Sequence, residues 1–242
     1  MSILGRLHYD GRVTRALRRP VPPTLEREHD LLQQGHQLVA GVDEVGTGSC
    51  AGPCYCAVVV VSADTGPVPE GLHDSKLLRP SQREQLAPAV RAWAVETAIG
   101  AASAEEIDEL GLTAALRRAG HRAFDSLNCT PDLVILDGKR DWLHAPATTL
   151  LDVDPHRAIG PVITQIKADQ LCASVAAASV IAKVARDAFM EQLAREEPRY
   201  GWDENKGYGT AAHLAAIAKH GVSVHHRRSW RFATTENSTP LV

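Results

Sequence analysis

Four carboxylates stand where apolar runs stop, and that placement is the strongest chemical signal in this 242-residue chain. Asp43 and Glu44 follow "LVAGV" and precede the glycine-rich "GTGSCAGP". Asp137 closes "DLVILD" just ahead of Gly138, and Asp169 closes "VITQIKAD" and opens the longest helical pattern. Acids at the ends of buried strands repel each other and lose hydration. Four converging on one edge of an α/β sheet, where sites assemble, cannot all ionise without cations nearby. Oxygen ligands with room for water and phosphate suit Mg²⁺ or Mn²⁺. Two such ions about 4 Å apart would clamp the attacking water and the leaving oxygen of a phosphodiester. Taken singly, Asp137-Gly138 is ordinary turn composition and Asp169 an ordinary helix cap. Only the combination points to a metal-dependent hydrolase.

The elements that must position these acids follow from periodicity. "LEREHDLLQQG" reads as a short helix ending at Gly35, and "QLVAGVDEV" and "CYCAVVVVS" as strands on either side of the glycine-rich turn. "AWAVETAIGAAS" reads as a third strand. Ser81 and Glu84 have the spacing of a capping box, and Ser103 opens two helices divided at Gly111. "DLVILDG" is a nearly continuous apolar strand of the kind covered on both faces. "GPVITQIKAD" is a further strand, and "LCASVAAASVIAKVARDAFMEQLAREE" a long helix that Pro198 stops. Its small residues Ala176 to Ser179 let it lie close to the sheet. "TAAHLAAIAKHG" is another helix, ended by Gly221. Three early strands, then alternating helices and strands, predict an α/β protein with a mixed sheet. Residues 1–35 are expected to be a basic, flexible extension with six arginines, 36–198 the catalytic domain, and 199–242 a helical, basic substrate-binding segment and tail.

Composition narrows the class without naming it. No apolar run approaches the roughly 18 residues a membrane span needs, so no membrane association and a cytoplasmic location are expected. The five cysteines are odd in number and show no CxxC spacing, which reads as reduced thiols. A net charge of −3 does not advertise a polyanion binder. Between Arg199 and Arg231, however, six basic residues face two acidic ones.

Several motifs, in order, resemble the type 2 ribonuclease H family, in particular bacterial ribonuclease HII. They are "GVDEVGTGSCAGP", "DSKLL", "LDG", "IKADQLCASVAAASVIAKVARD" and "YGWDENKGYGTAAH" with "HHRRSWRF", spanning Gly41 to Phe232. The resemblance implies an RNase H-like mixed five-stranded sheet flanked by helices, with a helical C-terminal subdomain. It implies that Asp43, Glu44, Asp137 and Asp169 are both the catalytic and the metal-binding residues, holding two Mn²⁺ or Mg²⁺ ions in the substrate complex. The implied substrates are RNA–DNA hybrids and duplex DNA carrying ribonucleotides. The implied products are a 3′-hydroxyl and a 5′-phosphate, a cleavage belonging to ribonucleotide excision in DNA replication and repair. Tyr208 matches a tyrosine that stacks on the sugar at the RNA–DNA junction, and Lys76 a lysine near the scissile phosphate. The turn Gly46-Thr47-Gly48 would read 2′-hydroxyls through its backbone. Arg227 and Arg228 would contact phosphates, and Lys183 and Arg186 would face the groove. A monomer is expected, and no protein partner is indicated.

Two departures from the family pattern carry expectations of their own. Thr47 stands where the family has arginine, which removes a charge-assisted contact worth roughly 1.5–3 kcal/mol and raises the alternative of a hybrid-binding homologue with impaired or altered junction cleavage. The stretch from Lys139 to Ile159 is longer than usual and is predicted to form a hairpin. Its Asp141, Asp152 and Asp154 read as solvated loop acids.

Overall fold

The computed structural model describes residues 21–144 and 158–230. The predicted hairpin, Asp152, Asp154 and the first 20 residues of the extension lie largely or wholly outside that range.

The strand β1 (Val39–Val45) is central in a five-stranded sheet of order β3-β2-β1-β4-β5. β2 (Cys54–Val61) runs antiparallel to β1, and β3 (Glu96–Ala102) antiparallel to β2. β4 (Leu133–Asp137) is parallel to β1, and β5 (Val162–Gln165) is parallel to β4. The continuous apolar run of β2 is explained by burial on both faces. Ala57, Val59 and Val61 pack beneath the helices α2 (Pro80–Trp93) and α6 (Ala173–Glu196), with Val175, Ala176 and Val90. Cys54, Cys56, Val58 and Val60 pack against α3 (Ala104–Leu110) and α4 (Leu112–Asp125), with Ile107, Ala119 and Phe124. All five cysteines are free. Gly41 sets how closely α6 approaches β1, since a Cβ there would overlap Ser174. The small residues Ala176 to Ala178 are buried at the same contact.

A third apolar cluster joins the end of α6 to the C-terminal segment. Met190 and Leu193 meet Tyr200, Trp202 and Ile217, the last two on α7 (Trp202–Asn205) and α8 (Ala211–His220).

Three expectations change. The described part of the N-terminal segment is tied down, not flexible. Leu25 and Leu31, flanking and within α1 (Glu26–Gln33), belong to the core; Thr24 N–H donates to Leu171 O (3.0 Å) and Ala173 N–H to Thr24 O (2.9 Å). Glu28 is fully buried and accepts from Ser174 N–H and Oγ–H (2.8 and 2.6 Å), capping α6. Second, α2 begins at Pro80 and not at Ser81: the proline's fixed φ suits the first helical position, and Gln82 Oε1 accepts from Arg79 N–H at 2.9 Å. Third, Asp169 closes no strand. β5 ends at Gln165, Lys167 adopts a left-handed φ of 60°, and Asp169 lies in the first turn of the short α5 (Ala168–Leu171).

Candidate active site

Strand register assembles the acids. Val42 pairs with Leu136, so the next step along the two parallel strands sets Asp43 beside Asp137 at the carboxyl end of the sheet. Asp137 Oδ1 then accepts from Ala168 N–H at 2.8 Å, which draws α5 and Asp169 to the same edge. The family-like acids are therefore brought together by β1, β4 and α5.

Their electrostatics show the strain of that convergence. Asp43 is 4% exposed, and burial first, then the charges of Glu44 and Asp137, push its carboxyl well above the usual range. Burial and Asp137 push Glu44 up to about 7. Asp169, also 4% exposed, is raised by burial despite the hydrogen bond from Lys76. Glu44 Oε2 is buried with no hydrogen-bond partner among the described residues. An acceptor left bare among like charges is what a bound cation would satisfy.

Lys76 places an ammonium in this cluster. Its Nζ lies 3.1 Å from Asp169 Oδ2 and 3.8 Å from Asp74 Oδ1, while the side chain as a whole is 72% exposed. Burial opposes its charge, but the bond to Asp169 and the fields of Asp74 and Asp43 outweigh it and hold the ammonium above the ordinary lysine range. Around this lysine the acids are gathered but not closed. Among the described residues no three His, Cys, Asp or Glu side chains form a ready-made ion cage. Asp169 carries the Lys76 ion pair on Oδ2, and its carboxylate has a second oxygen to offer an ion. Donor chemistry, the bare Glu44 Oε2 and mutual repulsion nevertheless fit divalent cations.

A set of residues that sequence reading left without a role fixes Lys76. Asp74 is buried and caps the 3-10 turn Ser75–Leu77, accepting from Lys76 N–H at 3.0 Å. Ser179 Oγ on α6 accepts from Ser75 N–H (3.1 Å), and Arg83 donates to Ser75 O and Leu78 O (3.0 and 2.9 Å). Arg83 also meets Asp187 (3.4 Å), whose other oxygen takes Lys183 Nζ at 2.6 Å. Lys183 is therefore already paired within the protein, sharing Asp187 with Arg83.

The glycine turn is built on two buried guanidinium groups, which corrects the expectation for both. Arg227 does not face phosphate: it is fully buried and donates to Gly46 O (2.6 Å), Thr47 O (3.1 Å) and Gly52 O (3.1 and 3.2 Å). Arg186, equally buried, donates to Pro53 O (3.0 Å), Ala51 O (3.2 Å), Lys206 O (2.9 Å) and Ser49 Oγ (2.7 Å). A charge alone cannot tell a surface arginine from one that satisfies loop carbonyls. The near-ring "GTGSCAGP" has more carbonyls than its own turn can bond, and that was the available signal. With these carbonyls turned inward, the Thr47 and Gly48 N–H groups donate to no acceptor among the described residues. Gly46 is obligatory, with φ 85° and Arg186 where a Cβ would sit; Gly48 is not, with no atom within 4 Å of a Cβ.

Tyr208 is half-buried, with Arg186 Cζ 5.4 Å and Lys183 Nζ 5.9 Å from its ring centroid. Arg228 is exposed, and its backbone N–H is held by Asp108 Oδ2 at 2.8 Å. Asp141 caps its own loop, taking His144 Nδ1 at 2.6 Å, and is no part of the acidic cluster.

Comparison with known proteins agrees with this geometry. The family model for ribonuclease HII matches residues 40–233. The ribonuclease HII of Streptomyces avermitilis is 47% identical over 214 residues, covering 87% of this chain and 84% of the relative. That of Streptomyces griseus subsp. griseus is 47% identical over 217 residues, covering 87% and 85%. The crystal structure of ribonuclease H2 from Pyrococcus horikoshii superposes with a TM-score of 0.62 at 27% identity, over 81% of this chain and 95% of that one. The chain belongs to the ribonuclease HII family and is a hydrolase of the ribonuclease H endonuclease class.

Proposed function

We propose that this chain hydrolyses the RNA strand of RNA–DNA hybrids and cuts 5′ of ribonucleotides embedded in duplex DNA, leaving a 3′-hydroxyl and a 5′-phosphate. The observation that carries the reading is the convergence of Asp43, Glu44, Asp137 and Asp169 on one sheet edge with Lys76 among them. Two divalent ions, Mg²⁺ or Mn²⁺, held by these four carboxylates would supply Lewis-acid stabilisation of the charge that develops at phosphorus.

The remaining work falls to the chain. Lys76, kept charged by its acidic neighbours, stands beside Asp169 as a second source of positive charge for the phosphate. The Thr47 and Gly48 N–H groups have no acceptor among the described residues and Gly48 leaves open space, a surface suited to a 2′-hydroxyl. Tyr208, flanked by Arg186 and Lys183, offers an aromatic face to the junction sugar. Among the described arginines of the basic run, exposed Arg228 is the one left for a phosphate. Residues 36–198 form the catalytic body and 199–242 the substrate-binding segment. One chain supplies every group, so a monomer suffices, and the cytoplasm is the compartment we infer. The alternative of a binding-only homologue has no observation behind it, since all four carboxylates and Lys76 are present.

The test offers a long hybrid and, separately, duplex DNA with one ribonucleotide, each with and without Mg²⁺ or Mn²⁺. Both should be cut only with the ion, and Asp43→Asn should bind both without cutting. Failure of the native protein to cut either overturns the proposal.

A further inference from the structure

Behind Tyr208 and the glycine turn, two fully buried imidazoles meet, and the activity proposed above gives neither a role. His213 Nδ1 lies 2.9 Å from the Tyr208 carbonyl, which can only accept, so Nδ1 carries the proton and Nε2 is an acceptor. Trp202 Nε1–H donates to that Nε2 at 3.0 Å. His226 Nδ1 accepts Ser223 N–H at 2.9 Å, so its own proton sits on Nε2 and faces, across 3.2 Å, the single His213 Nε2 lone pair that it shares with Trp202 Nε1–H. Fixed donors and acceptors thus set both tautomers, and both rings are neutral. Burial lowers both rings' pKa in keeping with this, His226 to about 4.

The line of contacts continues to the turn. His226 bridges Ala51, Gly52 N–H donates to His225 O (2.8 Å), and Arg227 N–H donates to Cys50 O (2.9 Å). Arg227 then holds the Gly46 and Thr47 carbonyls. A polar network satisfied at this level specifies one arrangement of its ends. Those ends are Tyr208 and the Gly46–Gly48 turn.

We propose that His213 and His226 are positioning residues that hold Tyr208 in register with the Gly46–Gly48 turn, fixing the span across which an RNA–DNA junction lies. The proposal rests on the reading of Tyr208 and the turn as substrate contacts. Such a pair of contacts must be placed to within about 0.5 Å to act together. Gly207 O ties the glycine loop to the Tyr208 segment by accepting from Cys50 N–H and Ala51 N–H (2.8 and 3.1 Å), and the histidine pair adds the tie at the Tyr208 carbonyl itself.

A mutant cycle on duplex DNA with one ribonucleotide tests it. His226→Asn keeps an acceptor for Ser223 N–H and loses the donor to His213. It should raise KM about ten-fold, keep kcat within about two-fold, and leave the Mn²⁺ concentration for half-maximal rate unchanged. In a Tyr208→Ala background the same change should add less than about two-fold, because its effect passes through the tyrosine. His213→Asn, which retains a donor to the Tyr208 carbonyl, should behave like His226→Asn and carries the cycle if the latter does not fold. Melting midpoints ensure that rates are read on folded protein. An equal KM effect with and without Tyr208, a fall in kcat alone, or no effect overturns the proposal while leaving the function intact. If Tyr208→Ala itself leaves KM unchanged, the reading of Tyr208 fails, and the positioning role with it.

Discussion

Gly46 and Gly48 flank Thr47 in sequence, yet substituting them should have opposite consequences. At Gly46, alanine would hold a φ of 85° that costs an L-residue about 1–2 kcal/mol. Its Cβ would overlap Arg186 Nε, which cannot retreat without leaving Pro53 O at 3.0 Å and disturbing bonds to Ala51 O, Lys206 O and Ser49 Oγ. One charge-assisted bond lost adds about 1.5–3 kcal/mol. Gly46→Ala should therefore destabilise by about 3–5 kcal/mol, or roughly 10 °C in melting midpoint for a chain of this length. At Gly48 no atom lies within 4 Å of a Cβ and φ is not left-handed, so Gly48→Ala should change stability by under about 1 kcal/mol. The methyl would stand where the ribose is read, and KM on a single-ribonucleotide duplex should rise about ten-fold. Thermal melting and steady-state kinetics on the two variants decide. A Gly46→Ala protein melting within about 2 °C of native refutes the Arg186 buttress. A Gly48→Ala protein with native KM refutes the role given to the turn's backbone.

Other outcomes follow from the acids and their neighbours. Glu44 is raised to about 7 and Asp43 also upward in the folded chain, so the folded state takes up these protons before the unfolded one does. Ion-free protein should accordingly lose about 1–3 kcal/mol as pH rises from about 4.5 to 7, seen by calorimetry in chelator, and excess Mn²⁺ should flatten the profile. A rise in stability across that window contradicts the clustering. By the same repulsion, Asp43→Asn should melt above native when ion-free while cutting nothing. Lys76→Met, at a side chain 72% exposed, should shift stability by under about 1 kcal/mol but slow single-turnover cleavage by about 10²-fold. Thr47→Arg should lower KM on the junction substrate about ten-fold by adding a charge-assisted contact; no change, or a rise, means the turn reads the strand in another way.

The sheet and three of the four acids were legible because burial on both faces leaves an unmistakable apolar run, as in "CYCAVVVV" and "LVILD". Strand ends then mark where Asp43, Glu44 and Asp137 must lie. Asp169 was singled out as a strand-end acid but misplaced, because the left-handed Lys167 and the one-turn α5 leave no periodic signal. Arg186, Arg227 and Glu28 were hidden for a common reason. Each is a charged residue whose partners are backbone groups far along the chain, at Pro53, Gly46 and Ser174, and composition assigns such residues to the surface. The hairpin expected between Lys139 and Ile159 falls largely outside the described residues.

The most direct measurement maps product ends at nucleotide resolution on duplex DNA with one embedded ribonucleotide, comparing native protein with Asp43→Asn in Mn²⁺ and in chelator. The expected result is a single cut 5′ of the ribonucleotide, with a 3′-hydroxyl and a 5′-phosphate, present only for native protein with Mn²⁺. A cut that survives chelator or Asp43→Asn, or one that leaves a 3′-phosphate or cyclic phosphate, would contradict a carboxylate-held metal site.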